Sequence, residues 1–147
     1  MTVGISTPVF AEEYEPAGYH VYDVQEEEAT DTWYGVARGD YLQAGIAKVK
    51  KGTQSGYARA SGSTLAHFAC DRLYVRIYLD ESANGTDGWG TLNYWTANAY
   101  NKSMVTVSSG DYKITKGDYY SVKGAHSVFQ DDIIETTTTC TDAIPIN

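Results

Sequence analysis

Two cysteines, Cys70 and Cys140, and three histidines, His20, His67 and His126, are the residues of this 147-residue chain whose types could first suggest chemistry. An even cysteine count in an exported domain points to a disulfide, and a Cys70–Cys140 bridge would close a loop of about 70 residues, stabilising by roughly 4 kcal/mol on the chain-entropy model. The histidines do not fall at ligand spacing, and there is no HExxH, CxxC, Gly-x-Ser-x-Gly or phosphate-loop motif, so neither a metal nor a cofactor is expected. His126 with Glu135, or His67 with Asp71, are pairs from which a hydrolytic site could be assembled, but nothing in their spacing selects either. Asp80, Ser82 and Asn84 before Gly85 match the oxygen spacing that opens a calcium loop. Thr91 then stands where the bidentate Glu belongs, so a hairpin tip is the simpler reading.

The aromatic residues are more informative, because the chain holds 13 Tyr against 3 Phe and Tyr can cover the outside of a sheet while its hydroxyl stays wet. Tyr74 and Tyr78 lie in one phase of an alternating run and would stand about 13 Å apart along a strand. Tyr94, or Trp95 in the opposite phase, could join them across a hairpin. A flat row of rings beside polar groups can stack on sugars or form a protein interface, which makes Tyr74, Tyr78 and Trp95 the expected ligand-binding set.

These residues need strands to position them. From Leu73 to Asp80 the residues Leu73, Val75, Ile77 and Leu79 point one way, and Tyr74, Arg76, Tyr78 and Asp80 the other. Upstream, Ala66, Phe68 and Cys70 put apolar residues on even numbers, so the phase slips by one near Asp71 and Arg72. A bulge or a crossing between sheets must absorb the slip. Asn84-Gly85 within residues 81–88 signals a hairpin, with a return strand from Trp89 to Tyr100. Further short strands are expected around residues 40–50, 57–61, 102–108, 112–114, 119–128 and 133–140. Tyr120, Val122, Gly124, His126 and Val128 share one phase of the second well-ordered strand. Seven or eight short strands, with Gly, Asn and Asp turns and no period of 3.6, predict an all-β, two-layer antiparallel β-sandwich, with a closed barrel as the alternative.

The net charge of −8 is concentrated near the start of the chain. Residues 12–31 carry 8 acids and no Lys or Arg, whereas the remainder balances 11 acids with 11 bases. No basic stripe exists to neutralise phosphates, so a nucleic-acid partner is not expected. Residues 12–33 read as an acidic flexible arm, within which Tyr19, Val21 and Tyr22 could still add a strand, and residues 34–147 as the sandwich domain. Val9-Phe10-Ala11 before Glu12 resembles the end of a signal peptide: either residues 1–11 are its remnant, with Met1 internal to a longer precursor, or the resemblance is accidental. No run approaches the ~20 apolar residues of a membrane-spanning helix.

Cys70-Asp71-Arg72-Leu73-Tyr74-Val75 with Tyr78-Leu79, the block from Gly117 to Ser127, and Glu135-Thr136 with Thr141 resemble a group of small secreted proteins of Gram-positive bacteria whose domain has no known function. The resemblance covers residues 40–146 and implies export, with no chemistry. Together these readings lead to an expected secreted, extracellular and non-catalytic binding module. Its partner is expected to be a protein or a cell-surface polymer, in the sharper form a surface glycan held by Tyr74, Tyr78 and Trp95. A secreted hydrolase is the alternative of a different class.

Overall fold

The computed structural model describes residues 28–34 and 40–147. The expectations placed on residues 1–27, a signal-peptide remnant, most of the acidic arm and a strand near Tyr19, lie outside the described residues. Within them the chain forms eight strands: β1 (Glu28–Tyr34), β2 (Leu42–Lys51), β3 (Tyr57–Ser82), β4 (Gly90–Ser108), β5 (Tyr112–Lys113), β6 (Tyr119–Gln130), β7 (Ile133–Cys140) and β8 (Ile144–Pro145). Every pairing is antiparallel and all belong to one sheet. The all-β, antiparallel architecture is the expected one. The sheet begins earlier than the sequence implies, since β1 occupies the last part of the stretch read as an arm. No helix among the described residues is long and apolar enough to cross a membrane.

The central strand, β3, has 26 residues. At ~3.3 Å per residue it would be about 86 Å long if straight, far beyond the width of a domain this size, so it must bend. Along one side it pairs with β4 over most of its length. Along the other it pairs first with β2, ending at Ala66, and then with β6, beginning at Arg72. The bend falls between these partners. It lays the β1–β2 wing over the β6–β7 wing, and the single sheet thereby becomes two facing layers.

The bend is also where the phase slip is absorbed. Ala58, Ala60, Thr64 and Ala66 are buried on even numbers, then residues 67–69 are exposed, and Leu73, Val75, Ile77 and Leu79 are buried on odd ones. The ladder to β4 shifts register between Leu65 and Cys70. Residues 66–69 stand opposite Ser103 alone, beside Asn101 with its positive φ of 57°. Phe68, which the sequence groups with the buried Ala66 and Cys70, is instead 48% exposed in this corner, its ring edge-on to Tyr41 at 5.6 Å. Asp80 departs from the alternation too. A second register shift at Leu79/Asp80 leaves both buried, and the Asp80 carboxylate accepts from Thr91 Oγ1 at 2.6 Å and pairs with Lys123 at 3.1 Å.

The layers meet through complementary sizes. Small residues on the first wing, Gly45, Ala47, Ala58, Ala60 and Gly62, face Leu73, Val75, Ile77, Val122, Val128 and His126 on the second. A Cβ on Gly62 would stand 2.5 Å from Ile77 Cγ2, and one on Gly45 would stand 2.6 Å from the His126 ring. His126 is fully buried between the wings. Thr64 Oγ1 donates to Tyr74 O at 2.8 Å, so at 3.0 Å it accepts from His126 Nδ1–H, while Thr139 Oγ1 donates to Nε2 at 2.8 Å. This arrangement fits neutral imidazole, and burial lowers its pKa to about 4 against a weaker opposing contact with the Ser63 backbone. Tyr120 closes the opposite end. Its hydroxyl faces Glu81 Oε2 at 2.6 Å and the Thr115 carbonyl at 2.6 Å, and accepts from Thr115 N at 3.0 Å, a tie to the upstream turn like that of a tyrosine corner. Burial, reinforced by Glu81, pushes this phenol well above its usual range.

The disulfide expected between Cys70 and Cys140 is not formed. Cys140 pairs with Lys123, which pairs with Tyr78, eight positions along β3 from Cys70. That alone separates them by about 26 Å. Cys70 Sγ contacts the Phe68 carbonyl, and Cys140 Sγ lies near Ser121 and Thr141.

Alkylation in denaturant without reductant should therefore label both cysteines, and labelling only after reduction would contradict this arrangement. Gly45→Ala should lower unfolding stability by about 1–3 kcal/mol through overpacking against His126, measured by denaturant titration. The unfolded chain protonates the imidazole near 6.5 and the folded chain only near 4, so the unfolded state binds the extra proton between them. The His126 contribution is thus complete above about pH 6.5 and falls by up to about 3 kcal/mol as pH drops toward 4. His126→Gln should flatten the slope between pH 6.5 and 4.5 while lowering stability at pH 7; an unchanged slope would exclude His126 as its source.

Candidate functional site

The alternation that buries Leu73, Val75, Ile77 and Leu79 sends Arg72, Tyr74, Arg76 and Tyr78 to the outer face of the sheet. Because β3 is central here, each outward residue is flanked by a β4 and a β6 residue. Arg72 lies between Tyr100 and Phe129, Tyr74 between Asn98 and Ser127, Arg76 between Thr96 and Ala125, and Tyr78 between Tyr94 and Lys123. The rows continue onto β7 as Ile134, Thr136, Thr138 and Cys140. Cross-strand neighbours on one face stand about 5 Å apart, close enough for the rings and guanidinium groups to interlock.

They do interlock. The Arg76 guanidinium lies 4.7 Å from the Tyr94 ring centroid and 6.0 Å from those of Tyr74 and Tyr78. Arg72 lies 4.4 Å from Phe129 and 5.8 Å from Tyr74, and its Nε donates to Asn98 Oδ1 at 2.9 Å. The Tyr78 and Tyr94 centroids are 6.1 Å apart with the rings tilted by 47°. Each ring thus gains support from a cation over its face. Tyr94 and Tyr100 remain 53% and 61% exposed, and Tyr74 and Tyr78 are half-buried.

Tyr74 and Tyr78 therefore sit together as the sequence implies. Trp95, the third expected member, does not join them. It pairs with Ile77, faces inward, and packs edge-on against Tyr112 at 5.3 Å. Tyr94 occupies the outward place, since it is the residue opposite Tyr78. Arg72 and Arg76 belong to the face as fully as the tyrosines. The signal for them was the Arg-x-Tyr-x-Arg-x-Tyr alternation of residues 72–78, read for its rings and not for its cations.

Elsewhere on the β6–β7 wing an open depression of ≈ 350 Å³ is lined by Trp33, Ala125, His126, Ser127, Thr136, Thr137 and Thr138. Four of its seven lining residues carry a hydroxyl, and Trp33 adds an indole. Trp33 comes from β1, where no alternation in the sequence marks it as part of a site. His126 and Glu135, one of the pairs considered for hydrolysis, each make hydrogen bonds within the fold. Both His126 nitrogens meet threonine hydroxyls. Glu135 accepts the backbone N–H groups of Asp40, Tyr41 and Leu42 at 3.1, 2.9 and 2.7 Å. Burial raises the pKa of this carboxyl, but these three bonds outweigh it and hold the group below its usual value. The hairpin tip uses its own oxygens: Ser82 Oγ donates to Asn84 Oδ1 at 3.1 Å, and Asn84 Oδ1 accepts from Thr86 and Asp87 N–H. No group of three or more potential metal-binding side chains occurs among the described residues.

No curated protein and no solved structure matches the chain at a significant level. A family model described as a family of unknown function (DUF6147) matches residues 9–144, nearly the whole chain, and the protein belongs to that family.

Proposed function

We propose that this protein is an exported, non-catalytic binding module that takes a carbohydrate ligand on the outer face of its central strands. The observation that carries the reading is the cluster of Tyr74, Tyr78 and Tyr94, held by Arg76 on the solvent-facing side of the sheet. Rings mounted on strands of a packed two-layer sheet lose little freedom on binding. Their faces match the apolar faces of sugar rings, while hydroxyl groups of Ser127, Thr136 and Thr138 lie alongside for polar contacts. The non-catalytic part of the reading is supported by the two residues best suited to hydrolysis, His126 and Glu135, whose polar atoms are occupied by the fold itself.

A glycan array or a pull-down on insoluble polysaccharides should show retention of the full chain. Tyr78→Ala and Tyr94→Ala should each weaken it by about tenfold, the loss of one stacking contact, with the melting temperature little changed. Trp95→Phe should leave retention intact. Retention that survives both tyrosine substitutions would overturn the site.

A further inference from the structure

The outer face is not only aromatic. It is cationic, in a chain whose net charge is −8. The described ion pairs are Lys48 with Glu28, Arg59 with Asp111 and Lys123 with Asp80; Arg72 and Arg76 enter none of them. The four cross-strand rows that contain Arg72, Tyr74, Arg76 and Tyr78 hold no Asp or Glu from β4 across to β7. Carboxylates border the rows at both ends: Asp71, the chain neighbour of Arg72, accepts the Asp131 N–H, while at the Lys123 end Asp80 meets Lys123 and Asp31 accepts the Cys140 N–H. Two guanidinium groups therefore flank Tyr74, at 5.8 and 6.0 Å from its ring centroid, and no carboxylate in these rows offsets their charge.

We propose that the ligand is an anionic polysaccharide, whose acidic groups are taken by Arg72 and Arg76 while its sugar rings stack on Tyr74, Tyr78 and Tyr94. This deepens the carbohydrate reading and rests on it. Charge complementarity selects the ligand class, because a neutral glycan would leave both guanidinium groups unmatched in the bound state. The geometry of Arg76 supports the same choice. Its Nε is buried without a hydrogen-bond partner, and Nη1 reaches only the Tyr78 hydroxyl at 3.5 Å, so the outer edge of the fork keeps donors for a carboxylate or an ester oxyanion. The flanking rings hold both guanidinium groups in place before binding, which reduces the ordering cost. Tyr74 lies within 6.0 Å of both. A sugar ring stacked there places its substituents toward either cation.

The test compares four probes against the full chain: dextran, dextran sulfate, polygalacturonate, and a peptide of the chain's own acidic residues 12–28. Dextran sulfate or polygalacturonate should bind at least tenfold more tightly than dextran, and the preferred one identifies the anion as an ester or a carboxylate. Arg72→Gln and Arg76→Gln should each lower binding of the charged polymer about tenfold and make it less sensitive to salt. Tyr78→Ala should weaken it as well, and Arg76→Lys should recover only part of the loss. Melting temperatures establish folding, and Arg72→Gln serves alone if Arg76→Gln unfolds. Equal binding of dextran would overturn the anionic inference and leave the carbohydrate reading standing. Peptide binding as tight as that of the polymers would show that the face reads charge without sugar, overturning both. Loss of binding in the tyrosine variants alone, with the arginine variants unchanged, would overturn the role of the cations and retain the stacking site.

Discussion

The reversal of phase inside β3 is the constraint on which the rest of the structure depends. A strand that must pair along 26 residues and also bury a face cannot keep one parity through a sharp bend, because the interior lies on different sides of its pleat before and after. The corner at residues 67–69 resolves this by leaving three residues outside both ladders. With that slip in place, Ala58 to Ala66 and Leu73 to Leu79 both look inward, and β2 and β6 can share one side of the same strand. Without it, either half of the core would turn to solvent. The same slip sends Arg72, Tyr74, Arg76 and Tyr78 outward as a set, so the candidate site is a by-product of how the core closes.

Closing a sheet upon itself brings polar groups into the interior, and the chain handles them locally. Glycines at 45, 62 and 124 make room where the wings approach most closely, and His126 fills the space left by two of them. Its two nitrogens then bridge Thr64 on the first wing to Thr139 on β7. An apolar ring of similar size would pack there too, but it would strand the threonine hydroxyls. The strand ends are treated similarly. Asp31 accepts the Cys140 N–H of β7, and Glu135 caps three N–H groups at the start of β2. Each carboxylate ties one wing to the other while covering donors that would otherwise face an open edge.

Much of this could be read from residue order, and the part that could not has a physical cause. The burial of Leu73, Val75, Ile77 and Leu79, the phase slip and the Asn84-Gly85 hairpin follow from local patterns that a strand imposes. Trp95 was misplaced because the face of a β4 residue depends on its register with β3, and opposite Ile77 it must point inward. The disulfide failed for a similar reason: parity can show that a cysteine lies in a strand, but not that its partner is eight positions further along the sheet. Phe68 looked buried because it continues the even phase, and it is exposed because the chain leaves that phase one residue earlier. Trp33 carried no signal, since it acquires its neighbours Thr137 and His126 only when the wings fold together.

The cations on the outer face bear on why the tyrosines are there. A row of exposed rings alone is an aggregation liability, more so beside β4, whose first twelve residues from Gly90 carry no charge and which, among the described residues, pairs only with β3. Placing Arg72 and Arg76 between the rings keeps the face hydrated and like-charged toward a second copy, while the rings keep the guanidinium groups from collapsing onto distant acids. Neutralising such a face requires a ligand of opposite charge, and stacking on it requires flat apolar surfaces in the same molecule. A polymer of acidic sugars supplies both at once, whereas a simple inorganic anion supplies only the first.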